Sequence, residues 1–279
     1  MAGTVRVPAM RLFQVDAFAE RPFGGNPAAV CLVEGDVDDD WMQSVASEMN
    51  LSETAFLTPA GDGVYGLRWF TPAYEVDLCG HATLASAHIL WEEKLDGPEP
   101  LRFETRSGVL TAVPVGDGLI QLDFPADPPD VSYGGGPFSD GLAAALGVPV
   151  VGVHRGRFDL LAEVADAETV RRLAPDFHAL AGFDARGVIV TAAGDGLNGA
   201  DFVSRCFYPA AGIDEDPVTG SAHCTLASFW CARLGRPTLV GWQASPRGGR
   251  VGVQLSGDRV LLTGRAVTVL RGELVRPWE

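Results

Sequence analysis

The sequence predicts an α+β protein of two similar domains, each a mostly antiparallel sheet curled around one central buried helix. Three observations carry this expectation. First, Arg68-Trp69-Phe70-Thr71-Pro72-Ala73 recurs as Arg205-Cys206-Phe207-Tyr208-Pro209-Ala210, an R-x-F-x-P-A pattern at an offset of 137 residues (68 to 205). Each copy is followed by a short loop and a Gly-x-Ala helix start, Gly80-His81-Ala82 and Gly220-Ser221-Ala222. Ordered agreement of strand end, loop and helix start implies a duplicated unit of half-chain length. Second, segments 81–91 (HATLASAHILW) and 221–234 (SAHCTLASFWCARL) carry apolar or small residues on every side. A helix without a polar face is buried all round, so each is expected to be wrapped by sheet, with small residues allowing close approach. Third, the remainder reads as short strands broken by turn residues.

Taken in order, residues 38–49 space Trp41, Val45 and Met49 four apart, the signature of an amphipathic surface helix. Asp38-Asp39-Asp40 opens it as a capping and dipole feature. Strands follow at 64–70 (VYGLRWF), 101–106 (LRFETR) and 119–124 (LIQLDF), on either side of the first apolar helix. The Pro- and Gly-rich stretch 125–137 (PADPPDVSYGGGP) reads as a linker, which divides the chain into domains 1–124 and 138–279. The last strands are left free to pack on either domain. Two more surface helices are expected at 139–146 and 167–174, before the second R-x-F-x-P-A copy and its helix.

Composition excludes several function classes. A chain of 279 residues that is 47% hydrophobic is long enough to bury its own cores without staples. Cys31, Cys79, Cys206, Cys224 and Cys231 form an odd set without CxxC or metal-ligand spacing, which points to a reducing, cytoplasmic setting. The opening MAGTVRVPAMRLFQV lacks the apolar stretch of a signal peptide, and no run is long enough to span a bilayer. The formal charge of −15 with dispersed Lys and Arg argues against a nucleic-acid partner. His88, His154, His178 and His223 lack ligand spacing, and Gly134-Gly135-Gly136 fits no nucleotide-binding pattern.

Glycine at the start of each apolar helix offers free backbone N–H groups and a positive dipole end, suited to a carboxylate. Through the duplication the two starts are expected to face one cleft, where Ser221 adds a hydroxyl and His81 an imidazole.

Four blocks resemble the PhzF family, within the diaminopimelate-epimerase-like fold: Phe23-Gly24-Gly25-Asn26-Pro27-Ala28-Ala29-Val30, Asn50-Leu51-Ser52-Glu53-Thr54-Ala55-Phe56, Asp77-Leu78-Cys79-Gly80-His81-Ala82-Thr83 and Asp214-Glu215-Asp216-Pro217-Val218-Thr219-Gly220-Ser221-Ala222. They stand in family order and cover essentially the whole chain. The resemblance implies a cleft between two domains and a homodimer, with no metal or organic cofactor. It implies Glu53 as the acid/base group, His81 and Asp216 as its partners, and Gly80, Gly220 and Ser221 as the binding site of a small carboxylated substrate. A single carboxyl group that takes a proton and returns it elsewhere is what an isomerisation needs. In the two-base racemases and epimerases of this fold a cysteine precedes each helix glycine; here those positions are Cys79 and Thr219, and a hydroxyl is too weak an acid to replace the second thiol. One-base isomerisation is therefore expected, with racemisation or non-catalytic small-acid binding as the alternatives.

Overall fold

A computed structural model describes residues 10–35, 37–61, 63–95 and 100–274. Residues 1–9, part of the segment read above for a leader, lie outside them. The first half runs β1 (Met10–Ala17), β2 (Asn26–Leu32), α1 (Asp39–Met49), β3 (Glu53–Gly61), β4 (Val64–Phe70), β5 (Glu75–Val76), α2 (Gly80–Glu92), β6 (Leu101–Thr105), β7 (Gly108–Pro114) and β8 (Ile120–Pro125). The second half continues with α3 (Pro137–Leu146), β9 (Gly152–Arg155), β10 (Leu160–Glu163), α4 (Ala167–Arg172), α5 (Phe177–Leu180), β11 (Val188–Ala193), β12 (Phe202–Tyr208), β13 (Ile213–Asp216), α6 (Gly220–Leu234), β14 (Thr238–Gln243), β15 (Gly249–Ser256), β16 (Arg259–Gly264) and β17 (Ala266–Leu274). This is a mixed α and β fold with an extensive sheet.

The pairings of the two halves match. β1–β2, β3–β4, β4–β5, β6–β7 and β7–β8 are antiparallel, and so are β9–β10, β11–β12, β12–β13, β14–β15 and β15–β16. The parallel pairs β2–β3 and β4–β6 have their counterparts in β10–β11 and β12–β14. An antiparallel β8–β16 pairing joins the halves into one sheet. β17 has no counterpart: it lies antiparallel on β1, so residues 266–274, whose side was left open above, extend the sheet of the first half.

The repeated motif has a structural reason. Arg68 donates from Nε and Nη2 to the two carboxylate oxygens of Glu75 at 2.8 and 2.7 Å, pinning β5 against β4. Arg205 does the same to Glu215 at 2.7 and 2.8 Å, pinning β13 against β12. Each guanidinium also lies 5.1 Å from the ring centroid of the phenylalanine two residues on, Phe70 or Phe207. These forks fix the strand ends that lead into α2 and α6.

Both helices are buried along most of their length, α2 against the sheet of the first half and α6 against β14, β15 and β16. One hydrophobic core runs through both and includes Trp69, Phe103, Leu226 and Leu262. α1 begins after Asp38, whose side chain accepts from the Trp41 amide at 2.7 Å. Its buried face is Met42, Val45 and Ala46, with Trp41 and Met49 packed at the margins, so the apolar stripe is shifted from the Trp41–Val45–Met49 line. α3 starts two residues earlier than the spacing suggests, at Pro137, which suits a first helical position. α4 ends at Arg172, ahead of Pro175. Among the described residues no helix is long and apolar enough to cross a membrane.

Candidate active site

The parallel β2–β3 register aligns Ala28 with Glu53, so Asn26 and Glu53 enter from the same end of the sheet. Opposite them the starts of α2 and α6 meet head to head. A Cβ placed on Gly220 would lie 3.3 Å from the Gly80 Cα, and one on Gly80 would lie 3.4 Å from the Gly220 Cα. Only glycine permits this approach without displacing a backbone. The N-cap residues, Cys79 and Thr219, give no side-chain cap, so the first-turn N–H groups remain for an anion.

A cavity of about 250 Å³ opens at this junction. All six residues singled out from the sequence line it: Glu53, Gly80, His81, Asp216, Gly220 and Ser221. Glu53 Oε2 stands 3.1 Å from His81 Nε2. The pair lacks hydrogen-bond alignment, and neither atom has another partner among the described residues. Asp216 is the opposite case, with both oxygens occupied. Asn26 Nδ2 donates to Oδ1 at 2.8 Å and the Thr219 hydroxyl donates to Oδ2.

Asn26 is fully buried and fixed at both ends. Its amide nitrogen also donates to the Val218 carbonyl at 2.9 Å, and its oxygen accepts from the Ser52 hydroxyl at 3.0 Å. Gln243, equally buried, accepts from the Thr219 amide at 2.9 Å and donates to the Asp216 carbonyl at 2.7 Å. Thr219, at the position of a second racemase thiol, thus spends its hydroxyl on Asp216.

The electrostatics follow from burial and neighbours. Burial raises the Asp216 carboxyl, and Glu53 adds to this; the His81 cation, the Thr219 hydroxyl and the Asn26 amide oppose it, leaving it at about 6. For His81 burial disfavours the cation, whereas negative charge on Cys79, where the thiol ionises, and on Glu53 favours it, and the net direction is upward. Burial pushes the Cys79 thiol up, so it is uncharged at neutral pH. At this site the Asp216 carboxyl is brought toward neutral pH, whereas a thiolate at Cys79 is disfavoured.

Glu53, Cys79 and His81 place their ligand atoms within 4.8 Å of one another. Glu53 approaches Nε2 of the ring, however, and Cys79 approaches Nδ1, at 3.5 Å. One imidazole cannot turn both nitrogens toward one ion, so this trio is not a preformed metal centre.

None of the other histidines has a part in the cavity lining. His88 Nε2 lies 3.0 Å from the Thr268 hydroxyl on β17, and His223 Nδ1 lies 2.8 Å from the Thr219 carbonyl, within α6 packing. Asn26 stands inside a quoted block, yet the sequence assigned it no role. Arg186 and Tyr208, which also line the cavity, were missed; the tyrosine sits within the second R-x-F-x-P-A copy.

The profile of the PhzC-PhzF family, phenazine biosynthesis-like protein, matches residues 15–272. An uncharacterized isomerase of Halalkalibacterium halodurans is 51% identical over 265 residues, 95% of this chain and 98% of that protein. The crystal structure of a PhzF-family phenazine biosynthesis protein from Enterococcus faecalis superposes with a TM-score of 0.90 at 43% identity, covering 96% of this chain and all of that one. A hydroxyproline epimerase from Agrobacterium vitis shares the fold, with a TM-score of 0.62 at 14% identity over 95% of this chain and 90% of its own.

Proposed function

The chain belongs to the PhzC-PhzF family of phenazine biosynthesis-like proteins, and from that premise we propose that it is a cofactor-independent isomerase. It relocates a proton on a small cyclic carboxylated substrate, with Glu53 as the single base. The observation that carries this is Glu53 Oε2, without a hydrogen bond among the described residues, held 3.1 Å from His81 Nε2 in a cavity where two uncapped helix starts meet.

In this mechanism the substrate carboxylate rests against the first-turn amides of α2 and α6 and the Ser221 hydroxyl. Glu53 removes a proton from an allylic carbon, the C–H electron pair moves into a new double bond, and the old double bond takes up a proton from the Glu53 carboxyl, which exchanges with solvent between the two transfers. The proton count balances without an external acid. The His81 cation stabilises charge that develops between the two transfers, and Asp216, anchored by Asn26 and Thr219, orients a substrate amine or hydroxyl. The frame is the expected pair of domains, 1–124 and 138–279, with β17 carried back to the first, in a cytoplasmic homodimer.

Racemisation by two thiols is disfavoured by Thr219, whose hydroxyl is committed to Asp216, and by the uncharged Cys79. A binding protein without turnover has no need of a largely buried carboxyl oxygen left without a hydrogen bond, which costs stability. Proton NMR in deuterated water with cyclic unsaturated amino and hydroxy acids, the phenazine precursor among them, tests the proposal. A shifted double bond with deuterium at the receiving carbon is expected; inverted stereochemistry without a shifted double bond would support the racemase instead.

A further inference from the structure

On the α6 side of the cavity stands a group of polar atoms that proton relocation by Glu53 does not use. Arg186 donates from Nε to Asp159 Oδ1 at 2.9 Å, and its Nη2 pairs with Oδ2. Asp159 is 2% exposed, so the fork anchors the guanidinium from beneath. Arg186 also lies over the rings of Phe158 and Tyr208, at 5.2 and 5.3 Å from their centroids. The side chain is thus held in one geometry. Its Nη2 further donates to Ser221 Oγ at 3.0 Å. A hydroxyl that accepts from a guanidinium has its own proton free to donate elsewhere.

Two more donors stand unengaged beside it. Arg186 Nη1 makes no hydrogen bond to the described residues, since its partners are met through Nε and Nη2 alone. Tyr208 is 6% exposed, and its hydroxyl has no partner among the described residues. Burial raises the phenol well above its ordinary range, so it remains a donor. The nearby acid, Asp127, is already occupied by the Thr225 hydroxyl at 2.6 Å and the Arg157 amide at 2.9 Å. The Ser221 hydroxyl, Arg186 Nη1 and the Tyr208 hydroxyl are therefore donors without acceptors among the described residues, around one apolar-walled recess.

We infer that Arg186 is the residue that determines substrate charge: with Ser221 and Tyr208 it binds the carboxylate of a ring monocarboxylate and rejects the neutral carboxamide. This rests on the proposed reading of the cavity as the substrate site, and it adds the group that selects the anion. The ring then lies along the apolar wall toward Glu53, with the carboxylate at the α6 end.

The test is calorimetric titration of the full-length protein with benzoate and with benzamide, which share a ring and differ in the charge of one substituent. The native protein is expected to prefer benzoate by about tenfold or more, as a charge-assisted hydrogen bond from Nη1 warrants. Arg186→Gln is expected to remove that preference while leaving benzamide affinity within about twofold, and Ser221→Ala to weaken benzoate by about three- to tenfold. Arg186→Gln leaves Asp159 buried without its cation. The double variant Arg186→Gln/Asp159→Asn removes both charges and repeats the measurement if the single variant does not fold. Equal affinity of the native protein for the two ligands, or a benzoate preference that survives loss of Arg186, would overturn the inference. Glu53→Gln separates the two proposals, since it is expected to keep the benzoate preference even where proton exchange is abolished.

Discussion

Replacing Asp216 with asparagine is expected to abolish turnover and to make the protein more stable at neutral pH. Asp216 is buried, and its carboxyl is held at about 6 against an ordinary value of 3.8. An acid whose folded pKa lies above its unfolded one binds more protons folded than unfolded between those two values, so its contribution to stability falls as pH rises through that window and is constant above it. At 1.4 kcal/mol per pH unit the penalty is about 1.5 kcal/mol at pH 5 and about 3 kcal/mol at pH 7. Asparagine has nearly the shape of the protonated acid and carries no charge. It can still accept from Asn26, and its amide can donate to Thr219 Oγ1 in place of the bond it received. Some of the gain is offset by loss of two charge-assisted hydrogen bonds, leaving about 1–3 kcal/mol at pH 7. The variant's advantage over the native protein should grow by about 1.5 kcal/mol from pH 5 to pH 7. His81, raised rather than lowered, loses its contribution above pH 6.5, outside this window. Urea unfolding of both proteins at pH 5, 6 and 7 measures the difference. A variant less stable than the native protein at pH 7, with a gap that does not change with pH, would refute the reasoning.

Gly220→Ala is expected to cost about 1–3 kcal/mol and to weaken ligand binding, because its Cβ meets the Gly80 Cα at 3.3 Å and must push the helix starts apart; thermal unfolding and benzoate titration check this. Arg205→Gln should destabilise by about 3–5 kcal/mol, since both partners of its ion pair are nearly buried and the Leu173 carbonyl also loses its donor. Arg68→Gln, at a more exposed fork, should cost about 1 kcal/mol or less, and urea midpoints compare the two. Cys79→Ala should retain proton exchange within about tenfold, because an uncharged thiol is not the base; a loss of about a thousandfold in the NMR assay would restore the thiol to the mechanism.

Several features were legible in the sequence because local chemistry dictates them. α2 and α6 declare themselves by glycine starts and the lack of a polar face, and their burial follows. The R-x-F-x-P-A repeat reports a strand held by an arginine fork, and matching pairings in the two halves are the consequence. Glu53, His81, Asp216 and Ser221 were found through the blocks that surround them, and they converge because parallel β2–β3 pairing and the opposed helix starts bring distant segments together. The place of β17 was not legible, since a half-exposed strand carries no record of which edge it will join. Gln243 ends a strand, TLVGWQ, whose pattern gives no sign that its last residue is fully buried. Arg186 could not be placed from the sequence either: its role depends on Asp159, 27 residues away, and on Ser221, 35 residues away. Such pairings are set by topology and leave no periodicity.

The most direct measurement follows deuterium entry at carbon for an isomerised cyclic acid in deuterated water, with native protein beside Glu53→Gln. The amide keeps the size of the side chain and its distance from His81 but cannot accept a proton from carbon. Loss of both the shifted double bond and the deuterium, with benzoate binding intact, is the predicted result. Exchange at the native rate in the variant would contradict it and remove Glu53 as the base.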